Sequence, residues 1–191
     1  MMFPKNHILH MKGHVPKNDC KKIIDYFESH SELQFEGYSG YHIDYKLKKD
    51  TEILGDFKKC DGIYWISKYL HDAANEYIKY FPSSGLLTKW NLFHVFKIQR
   101  YYPNEGYFNL HFENPGLVSE PNLSNRMLAW MIYLNNVSDG GYTEFPDQRK
   151  RYQPRTGDIL LWPAYFTHPH RGIASKTQTK YIVTGWFNFI S

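Results

Sequence analysis

Cysteine is scarce in this sequence: among its 191 residues only Cys20 and Cys60 carry thiols, and they form no Cys-x-x-Cys pair. So few thiols exclude a disulfide framework or a cysteine-rich zinc site, and they are typical of a reducing compartment. The N-terminal residues lack the apolar segment of a secretory signal, and no apolar run approaches the ~20 residues of a membrane-spanning helix. We therefore expect a soluble, cytoplasmic protein that has no membrane partner.

A strong charge of either sign is also lacking. The net charge is +4 and the lysines are spread along the chain. The densest basic runs, 46–49 and 149–151, are short, and we interpret them as solvated loops rather than as a nucleic-acid surface. No internal repeat, low-complexity segment or linker divides the chain, and 191 residues suffice for one domain with a real core. The sequence therefore predicts a single domain over 1–191, and nucleic acid is not a favoured partner.

The first half of the sequence does contain two helical patterns. Apolar residues at helical spacing predict a helix that starts near Asp19 and runs to about Leu33. A second apolar stripe predicts a helix from about Asp61 to Phe81, ended by the Pro-Ser-Ser-Gly sequence that follows. Between them, residues 34–61 indicate at most a strand or two inside polar loops.

From Trp90 onward the character of the sequence changes to β-strand. Aromatic residues make up 18% of the chain, with 16 tyrosines, and this composition favours strands. Apolar and alternating runs predict strands at 92–101, 127–137, 142–145, 159–162 and 181–189. Two helices followed by closely spaced strands indicate an α+β, mainly β fold, with helical support over 16–82 and a sandwich or barrel core over about 90–191.

One short motif in the β half points to metal chemistry. On a strand, His111 and Glu113 would point to the same face, because side chains alternate with period two. They could supply two ligands of a two-histidine, one-carboxylate Fe(II) site, which leaves other metal positions open. The candidates for the third ligand are His168 and His170, which would share a face in an extended segment. Lys180 opens the final strand, and a buried lysine there could pair with the carboxylate of a co-substrate.

These residues belong to an ordered series of motifs over residues 95–188. The series reads Tyr102-Pro103…Gly106-Tyr107…His111-x-Glu113, Tyr133-Leu134-Asn135, Gly140-Gly141-Tyr142-Thr143-Glu144-Phe145-Pro146, Gly157-Asp158…Trp162-Pro163…His170, Lys180 and Trp186. It resembles the 2-oxoglutarate/Fe(II)-dependent oxygenase superfamily, specifically its prolyl-4-hydroxylase-like branch. The resemblance implies a double-stranded β-helix (jelly roll) core with two supporting N-terminal helices.

The resemblance also implies a role for individual residues. The implied catalytic iron ligands are His111, Glu113 and His170, and the implied 2-oxoglutarate-binding residues are Tyr102, Tyr133, Thr143 and Lys180. Glu113 departs from the family pattern, which has Asp at that position, but its longer side chain can still reach a metal by a change of rotamer. The ten-residue offset to Lys180 favours His170 over His168, which would then lie beside the ligands or face the substrate.

The activity implied by the resemblance is a 2-oxoglutarate- and O2-dependent hydroxylation of an unactivated C–H bond, with release of succinate and CO2. The favoured substrate is a prolyl residue in a peptide or protein, and the implied cofactors are Fe(II) and 2-oxoglutarate, with ascorbate as a further candidate. Residues 34–61 and 114–126 are predicted lid or substrate loops. Two alternatives stay open: a nucleic-acid or small-molecule oxygenase of the same superfamily, and a non-catalytic jelly-roll binding module, which Glu113 keeps under consideration.

Overall fold

The computed structural model of the protein describes residues 6–38, 43–59, 62–86, 88–117 and 119–190. Cys60, the predicted helix start at Asp61 and parts of both predicted loops therefore lie outside the described residues. The helices are α1 (Lys17–Ser29), α2 (Ser67–Tyr80) and α3 (Pro121–Ser124), with 3-10 turns at Ser31–Leu33, Phe57–Lys59, Tyr64–Ile66 and Pro82–Gly85. None of the described helices has the length and apolarity needed to cross a membrane.

Strands form most of the regular structure. They are β1 (Leu9–Met11), β2 (Phe35–Glu36), β3 (Lys48–Lys49), β4 (Thr51–Asp56), β5 (Trp90–Tyr101), β6 (Gly106–Tyr107), β7 (Arg126–Tyr133), β8 (Thr143–Phe145), β9 (Lys150–Tyr152), β10 (Ile159–Pro163), β11 (Arg171–Gly172) and β12 (Lys180–Phe189). A seven-stranded sheet has the order β1-β10-β7-β12-β5-β4-β2, and a three-stranded sheet has the order β11-β8-β9. A short pair, β3-β6, completes the set. The prediction of a mainly β fold is confirmed.

The large sheet buries apolar side chains on both of its faces. Along β7, Leu128, Trp130 and Ile132 lie in one core cluster, and Ala129, Met131 and Tyr133 lie in the other. The first cluster includes the apolar stripes of α1 and α2, so the two helices cover this outer face. The second includes Phe145 from the small sheet, so this inner face is turned toward the small sheet. Each large apolar side chain buried in this way stabilises the fold by about 1.5–3 kcal/mol.

Some predicted boundaries differ from the structure. The first helix ends at Ser29 rather than near Leu33, and the second begins at Ser67, after a 3-10 turn, rather than at Asp61. Apolar spacing of three and four residues does not separate these turns from an α-helix. The strand predicted over 127–137 ends at Tyr133, because the side chain of Asn135 accepts a hydrogen bond from the backbone of Tyr181 and takes the place of a ladder partner.

Candidate metal centre

Three side chains converge at one edge of the space between the two sheets. Nε2 of His111 lies 3.6 Å from Oε1 of Glu113, and Nε2 of His170 lies 3.3 Å from the same oxygen. The possible ligand atoms of the three residues all lie within 4.8 Å of one another. No other such group of histidine, cysteine and carboxylate side chains is found in the part of the chain that the structure describes. These are the three residues that the sequence singled out.

Two facing loops, rather than one strand, bring these residues together. His111 and His170 form an isolated bridge in which each backbone N–H donates to the other residue's carbonyl, at 3.0 and 2.8 Å. The backbone N–H of Glu113 donates to Ala164 O at 3.0 Å. His111 and Glu113 do not lie on a regular strand, so the period-two alternation expected for a strand does not apply, but the bridged loop still turns both side chains toward His170.

The hydrogen bonds of the two imidazole rings fix which nitrogen is available for binding. Nδ1 of His111 lies 2.8 Å from Asn109 O, and Nδ1 of His170 lies 3.1 Å from His168 O. Because a carbonyl only accepts, each Nδ1 carries a proton, and in the neutral ring each Nε2 presents a lone pair. Both lone pairs then face a carboxylate oxygen. Three acceptors pointed at one another fit a bound cation.

Burial and charge act in opposite directions within this group. Burial, and next the proximity of His111, lower the pKa of His170, which favours the neutral form that a metal requires. Burial alone would raise the pKa of Glu113. Hydrogen bonds and charge from the two histidines in their protonated form, together with the charge of Arg126, outweigh burial and hold that pKa well below its usual value. With neutral imidazoles, a bound cation would take the place of these protons. The carboxyl group is therefore ionised.

Aromatic rings hold the two imidazoles in place. The ring of His111 stacks on Tyr107 with centroids 3.7 Å apart. The ring of His170 lies 5.3 Å from Phe145 and 4.9 Å from Trp162, both of which are buried. The His170 side chain is 5% exposed and that of His111 is 15% exposed, so the site opens toward solvent on the His111 side.

The second candidate histidine faces away from the cluster. Nε2 of His168 lies 2.8 Å from the backbone oxygen of Asn6, and its Nδ1 lies 2.9 Å from the hydroxyl of Thr167. The segment that contains both histidines is a turn and not an extended strand, so residues two apart do not share a face. Of the alternatives that the sequence left open, the structure places His170 beside His111 and Glu113.

Lys180 lies on the inner face of the large sheet and is only 4% exposed. Its ammonium group donates to Gly141 O at 3.1 Å and lies 4.5 Å from the centroid of the Tyr101 ring. Burial lowers its pKa to about 8, and the charge of Asp50 only partly opposes this. No carboxylate of the described residues forms an ion pair with it. A buried ammonium without an anionic partner fits the carboxylate of a ligand.

The structure contradicts the predicted position of Tyr102. Its side chain is 46% exposed and stacks against Arg100 at 4.4 Å, on the helix side of the sheet. The neighbouring Tyr101 points inward instead, because side chains alternate along β5 and Tyr101 is the register partner of Lys180. Tyr101 is therefore a pocket residue that sequence reasoning missed. Two adjacent tyrosines give no sign of which one faces inward until the strand register is known.

Tyr133 and Thr143, the other two residues that the sequence assigned to this pocket, contact each other. The Tyr133 hydroxyl donates to the Thr143 hydroxyl at 2.6 Å, and both side chains are buried. Tyr133 pairs in register with Ile182, two residues beyond Lys180 on the same strand. Their hydrogen bond therefore joins the large sheet to the small sheet on the inner side of the fold.

Sequence reasoning also missed a buried group of charged and polar side chains next to the inward tyrosine. Lys48 pairs with Glu52 and lies 3.3 Å from Asp50, and Lys97 lies 2.8 Å from Glu52. Nε2 of Gln99 lies 2.7 Å from Asp50, 2.9 Å from Glu52 and 3.0 Å from the hydroxyl of the inward tyrosine, so its two N–H donors are shared among these three oxygens. Burial raises the pKa of Asp50 to about 6. Charged side chains are therefore packed behind the inner wall that carries the inward tyrosine and the buried lysine.

Comparison with known proteins agrees with this geometry. Residues 96–188 match the family described as the 2OG-Fe(II) oxygenase superfamily. A protein of Acanthamoeba polyphaga mimivirus named "Putative prolyl 4-hydroxylase" is 30% identical over 105 residues, covering 48% of this chain. The match spans 43% of that viral relative, so the chain corresponds to less than half of its length.

Solved structures share the fold at low sequence identity. The viral collagen prolyl hydroxylase of Paramecium bursaria Chlorella virus-1, solved with 2-oxoglutarate, has a TM-score of 0.67 and 16% identity, with 100% of both chains covered. A prolyl hydroxylase of Trichoplax adhaerens has a TM-score of 0.69 and 16% identity, covering 96% of this chain and 84% of that one. At these identities the likeness is one of fold. The family match over residues 96–188 and the convergent His-Glu-His group both point to the 2-oxoglutarate/Fe(II)-dependent oxygenase superfamily, and the similar proteins named above are prolyl hydroxylases.

Proposed function

We propose that this protein is a 2-oxoglutarate-dependent hydroxylase that acts on a prolyl residue in a peptide or protein. In the overall reaction one oxygen atom of O2 enters a C–H bond as a hydroxyl group, and the other enters the succinate formed, with CO2, from 2-oxoglutarate. One observation carries the proposal: two imidazole nitrogens and a carboxylate oxygen converge beside a buried lysine that has no anionic partner among the described residues. The names of the similar proteins favour the prolyl substrate.

The fold proposed for this activity is a double-stranded β-helix formed by the seven-stranded and three-stranded sheets. Residues 1–191 would form one oxygenase domain, in which the segment 16–82 supplies helical support on the outer face. The tight bridge between His111 and His170 ties the two loops at the open edge of the sheets. A metal held there lies on a rigid scaffold, which a facial set of three ligands requires.

Fe(II) would be held by Nε2 of His111, Nε2 of His170 and Oε1 of Glu113. When bound together with 2-oxoglutarate, Fe(II) supplies the oxygen activation needed to attack an unactivated C–H bond. The protein's contribution is to orient these donors. Carbonyl oxygens hold the protons on both Nδ1 atoms, and the packed aromatic rings prevent either imidazole from turning away.

Lys180 would bind the carboxylate of 2-oxoglutarate that is distant from the metal. Both charges would lie in a buried site of low dielectric constant. A charge-assisted hydrogen bond is stronger there than the same hydrogen bond in water. Tyr101 takes the position that the sequence assigned to Tyr102, since its ring contacts the ammonium group. Tyr133 and Thr143 would line the same pocket through their mutual hydrogen bond.

The substrate would approach over the two loops that carry the histidines. Their exposed apolar side chains are Leu110, Phe112, Tyr165 and Phe166. The backbone contacts of Glu113 and Asn114 with Ala164 hold these loops side by side, so the apolar side chains border the open face of the site. A rim of this kind suits a peptide with apolar residues, and the Trichoplax adhaerens enzyme was solved with a peptide fragment of the hypoxia inducible factor.

The test is turnover by the purified protein. Supplied with Fe(II), 2-oxoglutarate, O2 and proline-containing peptides, it should release succinate and add one oxygen atom to the peptide, as measured by mass spectrometry. His111→Ala should abolish both products. His94→Ala is the matched control, because that histidine is also half-buried on the fold but hydrogen-bonds to Asp56.

Other outcomes would point to the alternatives. Absence of succinate together with absence of Fe(II) and 2-oxoglutarate binding would identify a non-catalytic binding module. Turnover of methylated DNA or of a small molecule, with no peptide product, would show that the enzyme is an oxygenase with a different class of substrate.

A further inference from the structure

The carboxylate of Glu113 has its two oxygen atoms committed to different partners. Oε1 faces the two histidine Nε2 atoms. Oε2 accepts a hydrogen bond from the indole N–H of Trp186 at 2.9 Å and another from Nη1 of Arg126 at 3.3 Å. The first oxygen is available to a metal, and the second is held on the opposite side by two donors that belong to the protein.

Arg126 is itself held firmly in this place. Its Nη1 also donates to the backbone oxygen of Glu113 at 2.9 Å, and its guanidinium plane stacks on the Trp186 ring at 3.6 Å. Burial lowers the pKa of Arg126 and the charge of Glu113 raises it, yet an arginine stays protonated in either case. Since the arginine contacts both the backbone and the side chain of Glu113, its position relative to the carboxylate is fixed.

We propose that Arg126 and Trp186 are positioning residues that allow a glutamate to serve as the carboxylate ligand of this site. The inference rests on the proposed Fe(II) site. A glutamate has one more rotatable bond than an aspartate, so its carboxylate can swing away or turn both oxygens toward a metal. Two donors on Oε2 remove that freedom and present Oε1 alone to the metal.

The same geometry accounts for the choice of glutamate over aspartate at position 113. Removing one methylene group shortens the side chain by about one carbon–carbon bond. From the same backbone position, the carboxylate of an aspartate would lie about one bond length nearer its own Cα, so its two oxygens could not occupy the positions that Oε1 and Oε2 of Glu113 hold between the histidines and the Arg126–Trp186 pair. The benefit of the two donors therefore depends on the length of the side chain at this position.

A double-mutant cycle with Co(II) as the metal probe tests this dependence. We expect Trp186→Phe, which keeps an aromatic ring but removes the N–H donor, to weaken Co(II) binding by about 10-fold or more in the Glu113 background, as for other residues that orient metal ligands. In the Glu113→Asp background the same change should alter the affinity by less than about 2-fold, because no contact remains to be lost. The visible spectrum of bound Co(II) should shift with Trp186→Phe only in the Glu113 background.

Matched controls separate this role from simple destabilisation. Trp90→Phe also removes a donor, since the Trp90 indole donates to Ser84 O, but that tryptophan packs on the helix side of the sheet. It should leave Co(II) affinity and spectrum unchanged. Arg126→Met should behave as Trp186→Phe does. If that variant fails to fold, Arg126→Lys, which keeps one charge but loses the planar fork, should give a smaller loss in the same direction.

Two results would count against the inference. An equal loss of Co(II) affinity in the wild-type and Glu113→Asp backgrounds would mean that Trp186 and Arg126 only support the fold. No loss in either background would mean that they have no influence on the ligand. Wild-type protein that binds no Co(II) would instead refute the proposed metal site itself, so the failures of the two ideas are distinguishable without any measurement of turnover.

Discussion

Two buried lysines on the inner side of this protein have opposite surroundings. Lys48 is 2% exposed, and although burial lowers its pKa, Asp50 and Glu52 raise that pKa above the ordinary value. Lys180 is 4% exposed, but burial dominates and lowers its pKa to about 8. Within the described residues, the fold satisfies the first charge and leaves the second without a counterion. The difference gives Lys48 a structural role and supports the proposal that Lys180 binds the carboxylate of a ligand.

The largest expected effect comes from breaking the internally paired lysine. Lys48→Met would leave Asp50 and Glu52 buried beside Lys97 alone, so we expect the free energy of unfolding to fall by about 3–5 kcal/mol. Urea denaturation followed by circular dichroism measures this change. Lys46→Met, on the exposed surface, is the control and should stay within about 0.5 kcal/mol of the wild type. A stable Lys48→Met protein would remove the distinction drawn between the two lysines.

Lys180→Met should weaken ligand binding without lowering the stability of the fold. Without ligand the variant should be at least as stable as the wild type, because a buried charge with no partner is replaced by an apolar side chain of similar length. Its affinity for 2-oxoglutarate should fall by about 1.5–3 kcal/mol, or roughly 10- to 150-fold, the usual value of a hydrogen bond to a charged group. Isothermal titration calorimetry measures the affinity. Unchanged 2-oxoglutarate binding would contradict the assigned role.

The two lysines should also differ in their dependence on pH. The pKa of Lys180 is about 8 in the folded chain, and its ordinary value of 10.5 applies to the unfolded chain. Between pH 8 and pH 10.5 the unfolded chain therefore binds more protons than the folded chain. Stability relative to Lys180→Met, measured by urea denaturation at a series of pH values, should therefore rise with pH across that window. Affinity for 2-oxoglutarate should fall above pH 8, as the ammonium group loses its proton. The pKa of Lys48 is raised, so its contribution to stability is present at lower pH and is lost only as pH rises through its folded pKa.

A smaller effect should separate the two adjacent tyrosines near Lys180. Tyr101→Phe removes the hydroxyl that contacts Gln99 and helps to hold the Tyr101 ring beside the Lys180 ammonium group. We therefore expect the affinity for 2-oxoglutarate to weaken by about 0.5–1.5 kcal/mol. Tyr102→Phe alters a half-exposed side chain on the helix side and should have no measurable effect on that affinity. Calorimetric titration of both variants gives the comparison, and equal losses would reject the inward assignment of Tyr101.

The parts that the sequence could predict depend on short-range spacing. The pairing of His111 with Glu113 and the ten-residue offset between His170 and Lys180 are spacings of this kind, and the resemblance to a known family joined them into one predicted site. The parts that it could not predict depend on pairing between distant segments. The contact of Lys97 with Glu52 needs the register of β4 against β5, which no local pattern contains.

Arg126 illustrates the same limit. In the sequence it is a single basic residue at the start of a strand, a position that is usually solvated. Its contact with Glu113 crosses 13 positions and depends on the path of the loop between them. To choose between Tyr101 and Tyr102, one must likewise know which residues of β5 face inward. The sequence does not show this, because both faces of a doubly buried sheet carry similar side chains.

The reciprocal hydrogen bonds between His111 and His170 have a kinetic consequence. Since each residue both donates to and accepts from the other, neither loop can leave without releasing both of these backbone bonds. The two amide protons should therefore exchange with deuterated solvent through a single opening event and at similar rates. The same opening event would move the two imidazoles apart. Its frequency therefore sets an upper limit on the rate at which the three ligand side chains can separate.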